Sequence, residues 1–514
     1  MLKRTLFLSI ALSSGLAHAD WPTSPSESLY VGPLNNAFDE RASLQGSDDG
    51  SVWLCWQNNY CVGDLLLQHV TLDGQLLAPQ AMAIQDDPTC GFHLPPLLIP
   101  IGQSAVASRA LSSLLDTPVQ RIDTSGDALW IPGFLTDEQS GLGDATRLES
   151  GDLLFITTLF NTMQAYRVEI DGDTVWDKPT VISAISANYD VLDVVAQPDG
   201  SAMVFWDSHF SYTKNISAMR INADGSLAWP EPIRMNDVPP RVTSSRHSKP
   251  SIVDDGAGGS MVVFVRGFEQ ASTPAPLLMQ RIHPDSSLDF PLEGVRISMG
   301  TQRQFDPITF RESLSGDIIV VWRNGYLSEQ SVYAQRITQA GQRMWGENGI
   351  EVGQLDATFG SYDAIWNNDI LQIVIAGHDG ILMSRIDADG SAFGPPIQVA
   401  DAMPSSFVKV THSLGGSVVA WQVDVPDSFD DELVAARVNS MGVLGPEPCS
   451  SADQLPDAQL NFFDVSAFLT HFTAQHPAAD LTGEGVFDFF DVSAFLQELT
   501  AGCHDPRPRL PLGL

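Results

Sequence analysis

Twelve consecutive residues near the C-terminus carry the densest chemistry of the 514-residue chain. They run Asp480, Leu481, Thr482, Gly483, Glu484, Gly485, Val486, Phe487, Asp488, Phe489, Phe490, Asp491. Oxygen-bearing side chains stand at positions 1, 3, 5, 9 and 12, with glycine at position 6. A hard cation takes roughly six to eight oxygens, and alternate residues of a tight loop aim theirs inward. Gly485 permits the sharp turn, and the Val486 carbonyl supplies position 7. The expected ion is Ca2+, held by Asp480, Thr482, Glu484, Val486, Asp488 and Asp491.

The same design occurs twice. Phe462-Phe-Asp-Val-Ser-Ala-Phe-Leu469 returns letter for letter as Phe489-Phe-Asp-Val-Ser-Ala-Phe-Leu496, so this end of the chain is a tandem duplication. The earlier loop offers Asp453, Asp457, Gln459, Asn461 and Asp464 as ligands. Leu455 at its position 3 cannot ligate through its side chain, and Ala458 replaces the turn glycine. The first site is therefore expected to be the weaker. Both loops follow the EF-hand pattern, with Asp in place of the usual Glu at position 12.

A helix is expected after each loop. Val465, Phe468, Leu469 and Phe472 have the i, i+3, i+4, i+7 spacing of one helical face, and Val492, Phe495, Leu496 and Leu499 repeat it. The two faces are expected to pack on each other, with Phe487 bringing the loops into a short strand contact. So small a unit has little core and needs staples. Calcium is one, and a Cys449–Cys503 disulfide is expected as another.

Duplicated calcium loops, each followed by one helix and ending in Asp, resemble the dockerin module. The terminal Ala501-Gly502-Cys503 is similar to the bacterial variety that ends in Gly-Cys. The resemblance covers residues 449–504. It implies calcium-dependent folding and docking onto a cohesin-like receptor, scaffold or cell surface. Leu455 and Ala458 depart from the pattern in the first loop.

The remaining chain points to an extracellular β-protein. Its apolar fraction of 43% and charged fraction of 18% suit a globular protein. A net charge of −36 argues against nucleic acid, whose phosphates would repel it. Residues 1–19 read as a secretory signal, with Lys3 and Arg4 before an apolar run and Ala17-His18-Ala19 at the cleavage site. The run is too short to span a bilayer, and no later segment is long enough. The mature protein is expected to be secreted, where disulfides persist. Cys55, Cys61 and Cys90 cannot all pair among themselves; Cys61–Cys90 and Cys55–Cys61 remain open alternatives.

Between residues 27 and 445 one hairpin recurs eight times: a strand ending in Arg-Ile or a close variant, a turn with Asp, Asn or Gly, and often a Trp. Gln120-Arg121-Ile122 leads to Trp130, Tyr166-Arg167-Val168 to Trp176, Met219-Arg220-Ile221 to Trp229, and Gln335-Arg336-Ile337 to Trp345. From Gly74 to Gly442, seven intervals average about 53 residues. Short apolar runs such as Val52–Trp56 and Ile318–Trp322 precede the hairpins and read as strands. About four strands per unit at this period imply a β-propeller. Eight blades are expected, with seven as the alternative because the first and fifth copies depart most. Leu29-Tyr30-Val31 is expected to close the ring. The expected organisation is a signal (1–19), a propeller (20–445), a dockerin-like domain (446–505) and a disordered tail (506–514). The Pro-containing linker from Gly445 to Pro448 is short and stiff.

Repetition also separates scaffold from site. Arg121, Arg167, Arg220, Arg281, Arg336, Arg385 and Arg437 recur at one strand position. They read as blade-to-blade contacts, not as an anion ring or a sialidase-like cluster. The repeated tryptophans read as packing. Asp224-Gly225 lacks the spacer of a sialidase-type Asp-box. GxSxG, HExxH and Gly-rich phosphate loops are absent. His209, His247, His283, His378 and His412 share no ligand spacing. Non-repeat candidates are the insertions Ser244–Lys249, Phe268–Gln270 and Asp427–Asp431. No catalytic residue is assigned. The expectation is a propeller that recognises a glycan or protein, tethered through the dockerin-like unit; the alternative is a polysaccharide-degrading hydrolase. Paired acids about 5–10 Å apart in the channel would favour the hydrolase.

Overall fold

The computed structural model describes residues 21–503, apart from 36–41, 58–63, 79, 86–94, 109–118, 131–139, 160–161, 185–187, 211–212, 237–248, 266–274, 327–328, 357–359, 402–403, 405–406, 425–429 and 456–459. The proposed signal and tail, Cys61, Cys90, Asp457 and Gln459 lie outside the described residues.

Eight four-stranded antiparallel sheets make eight blades. Blades 1 to 7 span residues 42–85, 97–130, 140–184, 188–234, 251–296, 304–354 and 362–400. Blade 8 takes three strands from 408–438, and its fourth is Leu29–Asn35, paired antiparallel with Asp430–Val438. The chain thus closes its ring by joining its first strand to its last blade. Each blade's first strand neighbours the first strand of the next, all the way round, so these eight strands line the central channel.

The second strands explain the apolar runs. Val52–Gln57 is buried at every position, and Trp322 and Trp421 on equivalent strands are fully buried. Both faces meet a neighbouring blade, so alternation disappears. The fifth copy departs because Ser286 takes the turn position that Gly225 and Gly341 hold elsewhere, also at positive φ.

The repeated arginine and tryptophan form one latch. Arg167 Nη1 and Trp176 Nε1 both donate to the Ala223 carbonyl in the next blade, at 2.7 and 3.4 Å. Arg121 and Trp130 do the same to Ile170, and Arg336 and Trp345 to Ala388. The following turn glycine lies against the indole: a Cβ on Gly390 would come within 2.7 Å of Trp345. The arginine is gripped from its own blade by a carboxylate. Arg167 Nε and Nη2 reach Asp152 at 2.8 and 2.6 Å, and Arg336 Nε reaches Asp317 at 2.8 Å. The scaffold role expected for these residues is what the structure shows.

The C-terminal unit consists of helices α1 (Phe462–Thr473) and α2 (Phe489–Ala501), with a 3₁₀ turn at Pro477–Ala479. Phe468 and Phe495 stack at its centre, ring centroids 4.1 Å apart. Val465, Phe472, Val492 and Leu499 pack around them, but Leu469 and Leu496 do not: they are 54% and 52% exposed. Only positions i, i+3 and i+7 face inward, because the narrow Phe–Phe contact leaves i+4 outside. Phe487 packs edge-on against Phe472, centroids 6.3 Å apart, and no strand pairing joins the described residues of the two loops. Cys449 and Cys503 form a disulfide. The linker is bonded to blade 8 through Arg437–Glu447 at 2.9 Å and Asn439 Nδ2 to the Pro446 carbonyl at 3.1 Å. Among the described residues no helix is long and apolar enough to cross a membrane.

Candidate functional site

The second loop gathers three of its expected oxygen donors. Thr482 Oγ1 lies 3.5 Å from Asp480 Oδ1 and 3.0 Å from Asp491 Oδ1. Adjacent ligands of a calcium ion, each about 2.4 Å from it, stand roughly 2.8–3.4 Å apart. Thr482 thus stands between the carboxylates of positions 1 and 12, its contact to Asp491 within that spacing and its contact to Asp480 just beyond it. Asp480 is held by amides of the turn: Oδ1 accepts from Gly483 and Glu484 at 2.9 and 3.2 Å, and Oδ2 from Gly485 at 2.8 Å. Asp491 is buried and accepts from the Thr482 and Asp488 amides at 3.1 and 3.0 Å. These hydrogen bonds outweigh burial and hold its carboxyl below the ordinary aspartate range. Glu484 and Val486 are exposed on the loop surface.

Positions 9 and 12 have a second duty. Asn461 and Asp488 are the N-caps of α1 and α2, and Asp464 and Asp491 complete each capping box. The oxygen spacing read as cation chemistry is thus also helix-start chemistry, a signal that the periodicity reading passed over. In the first loop Asp464 accepts from Leu455 and Asn461 amides at 3.0 and 2.8 Å, matching its counterpart. Asp453 is buried and accepts from the Cys449 amide at 2.9 Å. The hydroxyl that completes the second loop's trio is absent, since Leu455 stands there. Among the described residues no three His, Cys, Asp or Glu side chains converge as a metal cage.

Two charged groups line the propeller channel. The first is Asp144 on the inner strand Ser140–Arg147 and Asp193 on the inner strand Asn188–Ala196. Each follows an irregularity in strand pairing, Leu142/Asp144 and Val191/Asp193, of the kind that re-aims a side chain. Gly143 admits the neighbouring blade: a Cβ there would meet Val191 at 2.4 Å. Asp144 accepts from the Ala145 amide and Asp193 from the Val194 amide, both at 2.8 Å. Both acids are half-buried. Burial, then the charge of Asp144, pushes Asp193 up to about 7, against the pull of Lys249. Burial also raises Asp144, opposed by Lys249. Burial thus disfavours the charged form of both acids, while the charge of Lys249 favours it.

The second group lies across blades 7, 8 and 1. A cavity of about 340 Å³ is lined by Asp363, Lys409, Thr411, His412, Ser43 and Gln45, among others. Asp363 accepts from the Val410 amide at 3.0 Å, and Thr411 Oγ1 from the Gly46 amide at 2.9 Å. The chain has five lysines, and two of them, Lys249 and Lys409, stand at these two places. Of the three insertions singled out, only Lys249, Asp430 and Asp431 fall among the described residues. The channel acids escaped notice because no local motif marks them. The scarcity of lysine was the one usable signal.

No family model matches the chain, and no curated protein does. Among solved structures it is similar to a polysaccharide lyase of the PL25 ulvan lyase family, at 10% identity and TM-score 0.47, covering 72% of this chain and 97% of that one. It is also similar to the Dos1 propeller, at 10% identity and TM-score 0.48, covering 79% and 95%. A Penicillium chrysogenum α-L-arabinanase aligns at 13% identity and TM-score 0.33, covering 58% and 93%. These likenesses are too distant to carry a function across.

Proposed function

We propose that this chain is a secreted, two-part binding protein. The propeller recognises a glycan or protein. The C-terminal unit is a dockerin-like, calcium-binding tether to a cohesin-like scaffold or the cell surface. The observation that carries the reading is the convergence of Asp480, Thr482 and Asp491 oxygens in the second loop. Asp480, Thr482, Glu484, the Val486 carbonyl, Asp488 and Asp491 would hold the ion; Asp453, Asn461 and Asp464, with Asp457 and Gln459, form the weaker counterpart. The exposed pairs Phe462-Phe463 and Phe489-Phe490, repeated on the two helices, suit docking onto a partner. Calorimetric titration of the whole protein with calcium, beside Asp480→Ala, tests it. One strong site lost in the variant supports the tether; no binding, or binding unchanged by Asp480→Ala, overturns it.

The second reading, a polysaccharide-degrading hydrolase, is favoured by the channel pair. Two acids on neighbouring inner strands, both with pKa raised by burial, are the kind of pair that can serve as acid and partner at a glycosidic bond. New reducing ends from an acidic or neutral polysaccharide, abolished in both Asp144→Asn and Asp193→Asn, would establish it. Turnover that survives either change would rule the pair out.

A further inference from the structure

The latch is incomplete at three joints: among the described residues His69 replaces the arginine in blade 1 and has no hydrogen-bond partner for its ring nitrogens, Arg437 of blade 8 leaves Nε and Nη1 unpartnered, and Arg385 of blade 7 leaves Nε and Nη2 unpartnered with no carboxylate in contact. In blades 3 and 6 the first two strands are joined by long turns, Leu148–Asp152 and Glu312–Asp317, which carry the carboxylate that grips the latch arginine. Blades 2, 7 and 8 have two-residue turns instead: Gly102-Gln103, Asn368-Asp369 and Leu414-Gly415. No carboxylate of these shorter turns is in contact with the latch arginine among the described residues. Blade 2 compensates with Ser104, whose Oγ accepts from Arg121 Nε at 2.9 Å. Blade 8 compensates with Glu447 of the linker, 2.9 Å from Arg437. Among the described residues blade 7 shows no substitute.

Arg385 is 7% exposed, yet its Nε and Nη2 have no hydrogen-bond partner among the described residues. These two nitrogens form the edge with which Arg167 grips Asp152. The guanidinium lies over Phe393, 5.2 Å from the ring centroid, which attracts the cation without bonding its N–H groups. Burial alone pushes its pKa down, to about 10, and no carboxylate opposes this. A buried cation without a counter-charge is strongly unfavourable.

The C-terminal unit adds a second donor. Pro477 fills the place where blades 3, 4 and 6 carry the latch tryptophan: blade 7 has Gly394 there, and a Cβ on it would meet Pro477 Cγ at 2.7 Å and Arg385 Nη2 at 3.3 Å. His476, beside Pro477, is near enough to Arg385 for the two charges to repel. Its Nδ1 accepts from the Ala478 amide at 3.2 Å, which leaves the proton of the neutral ring on Nε2.

We propose that the Arg385 corner of blade 7, under the Pro477 turn, is a binding site for a small oxyanion of carboxylate or sulfate type. The anion takes the place of the missing blade carboxylate, bridges the guanidinium fork, and accepts from the imidazole of His476. It thereby clamps the C-terminal unit onto the propeller. This site is independent of the calcium loops and of the channel.

The test is thermal unfolding of the full-length protein in millimolar sodium sulfate, sodium acetate or sodium chloride at constant ionic strength, beside Arg385→Met. These concentrations lie below the range in which sulfate stabilises proteins generally. A saturable rise of the melting midpoint, roughly 2–4 °C, is expected with sulfate or acetate and not with chloride. The sulfate and acetate arms separate a tetrahedral ligand from a carboxylate. Arg385→Met should show no rise and should melt no lower than the wild type without oxyanion. A second readout uses NMR of the wild type alone: sulfate should shift the His476 ring signals and raise its titration midpoint. A wild type indifferent to both oxyanions, or an equal response in Arg385→Met, would overturn the proposal.

Discussion

Blades 6 and 7 differ at one corner, and the difference separates scaffold from site. In blade 6, Arg336 is gripped by Asp317 at 2.8 Å, while Arg336 and Trp345 both hold the Ala388 carbonyl of the next blade. Every donor has a partner within the repeat. In blade 7 the same strand position carries Arg385, but the turn is short, the tryptophan is Gly394, and Pro477 of the C-terminal unit fills the gap. The rule is that a residue repeated with its partners belongs to the blade.

The comparison can be broken most sharply with Trp345→Ala. Removing this buried indole leaves a cavity between blades 6 and 7 and should cost about 3–5 kcal/mol in denaturant unfolding. Arg336→Met should cost about 2–4 kcal/mol, because Asp317 and Glu312 stay largely buried without their cation. The same substitution at Arg385 should not destabilise, and this opposite sign is what the missing partner demands. Gly390→Ala should cost about 1–3 kcal/mol, since its φ is +94° and the new methyl meets Trp345.

Two pH effects test the charged groups. Burial, His471 and Arg385 push His476 down to about 4. The unfolded ring titrates near 6.5, so the folded state binds fewer protons between these values. Stability should therefore fall as pH drops from about 6.5 toward 4, and His476→Gln should flatten that limb in melts across pH. Asp193 has the opposite sign. Raised to about 7, it binds a proton that the unfolded chain has lost. Stability should fall as pH rises from about 4 to 7, and Asp193→Asn should remove the slope.

Much of the scaffold was legible because it repeats. Arg121, Arg167 and Arg336 recur with their tryptophans, and the period pointed to eight blades with seven left open, which the eight sheets decide. The fifth copy blurred because Ser286 does the work of a glycine at positive φ. The helices were legible from Val465, Phe468 and Phe472, but Leu469 was not: which side of a four-residue stripe turns outward depends on the partner surface. The calcium-loop pattern was readable at Asp480 and Asp491, whereas the helix-capping role of Asp488 was hidden in the same spacing.

By itself the sequence determined the period, the strand and turn chemistry, the closing N-terminal strand and the duplicated C-terminal loops. These are local patterns, and hydrogen bonding and apolar periodicity act over a few residues. Only the tertiary structure decided which charges meet. Asp144 and Asp193 come close enough for their charges to interact because two blades place their inner strands side by side. Arg385 loses its partner because a turn is short, and gains His476 as a neighbour from a unit that begins about sixty residues later. Charge is felt through space, so its consequences appear only when the ring has closed.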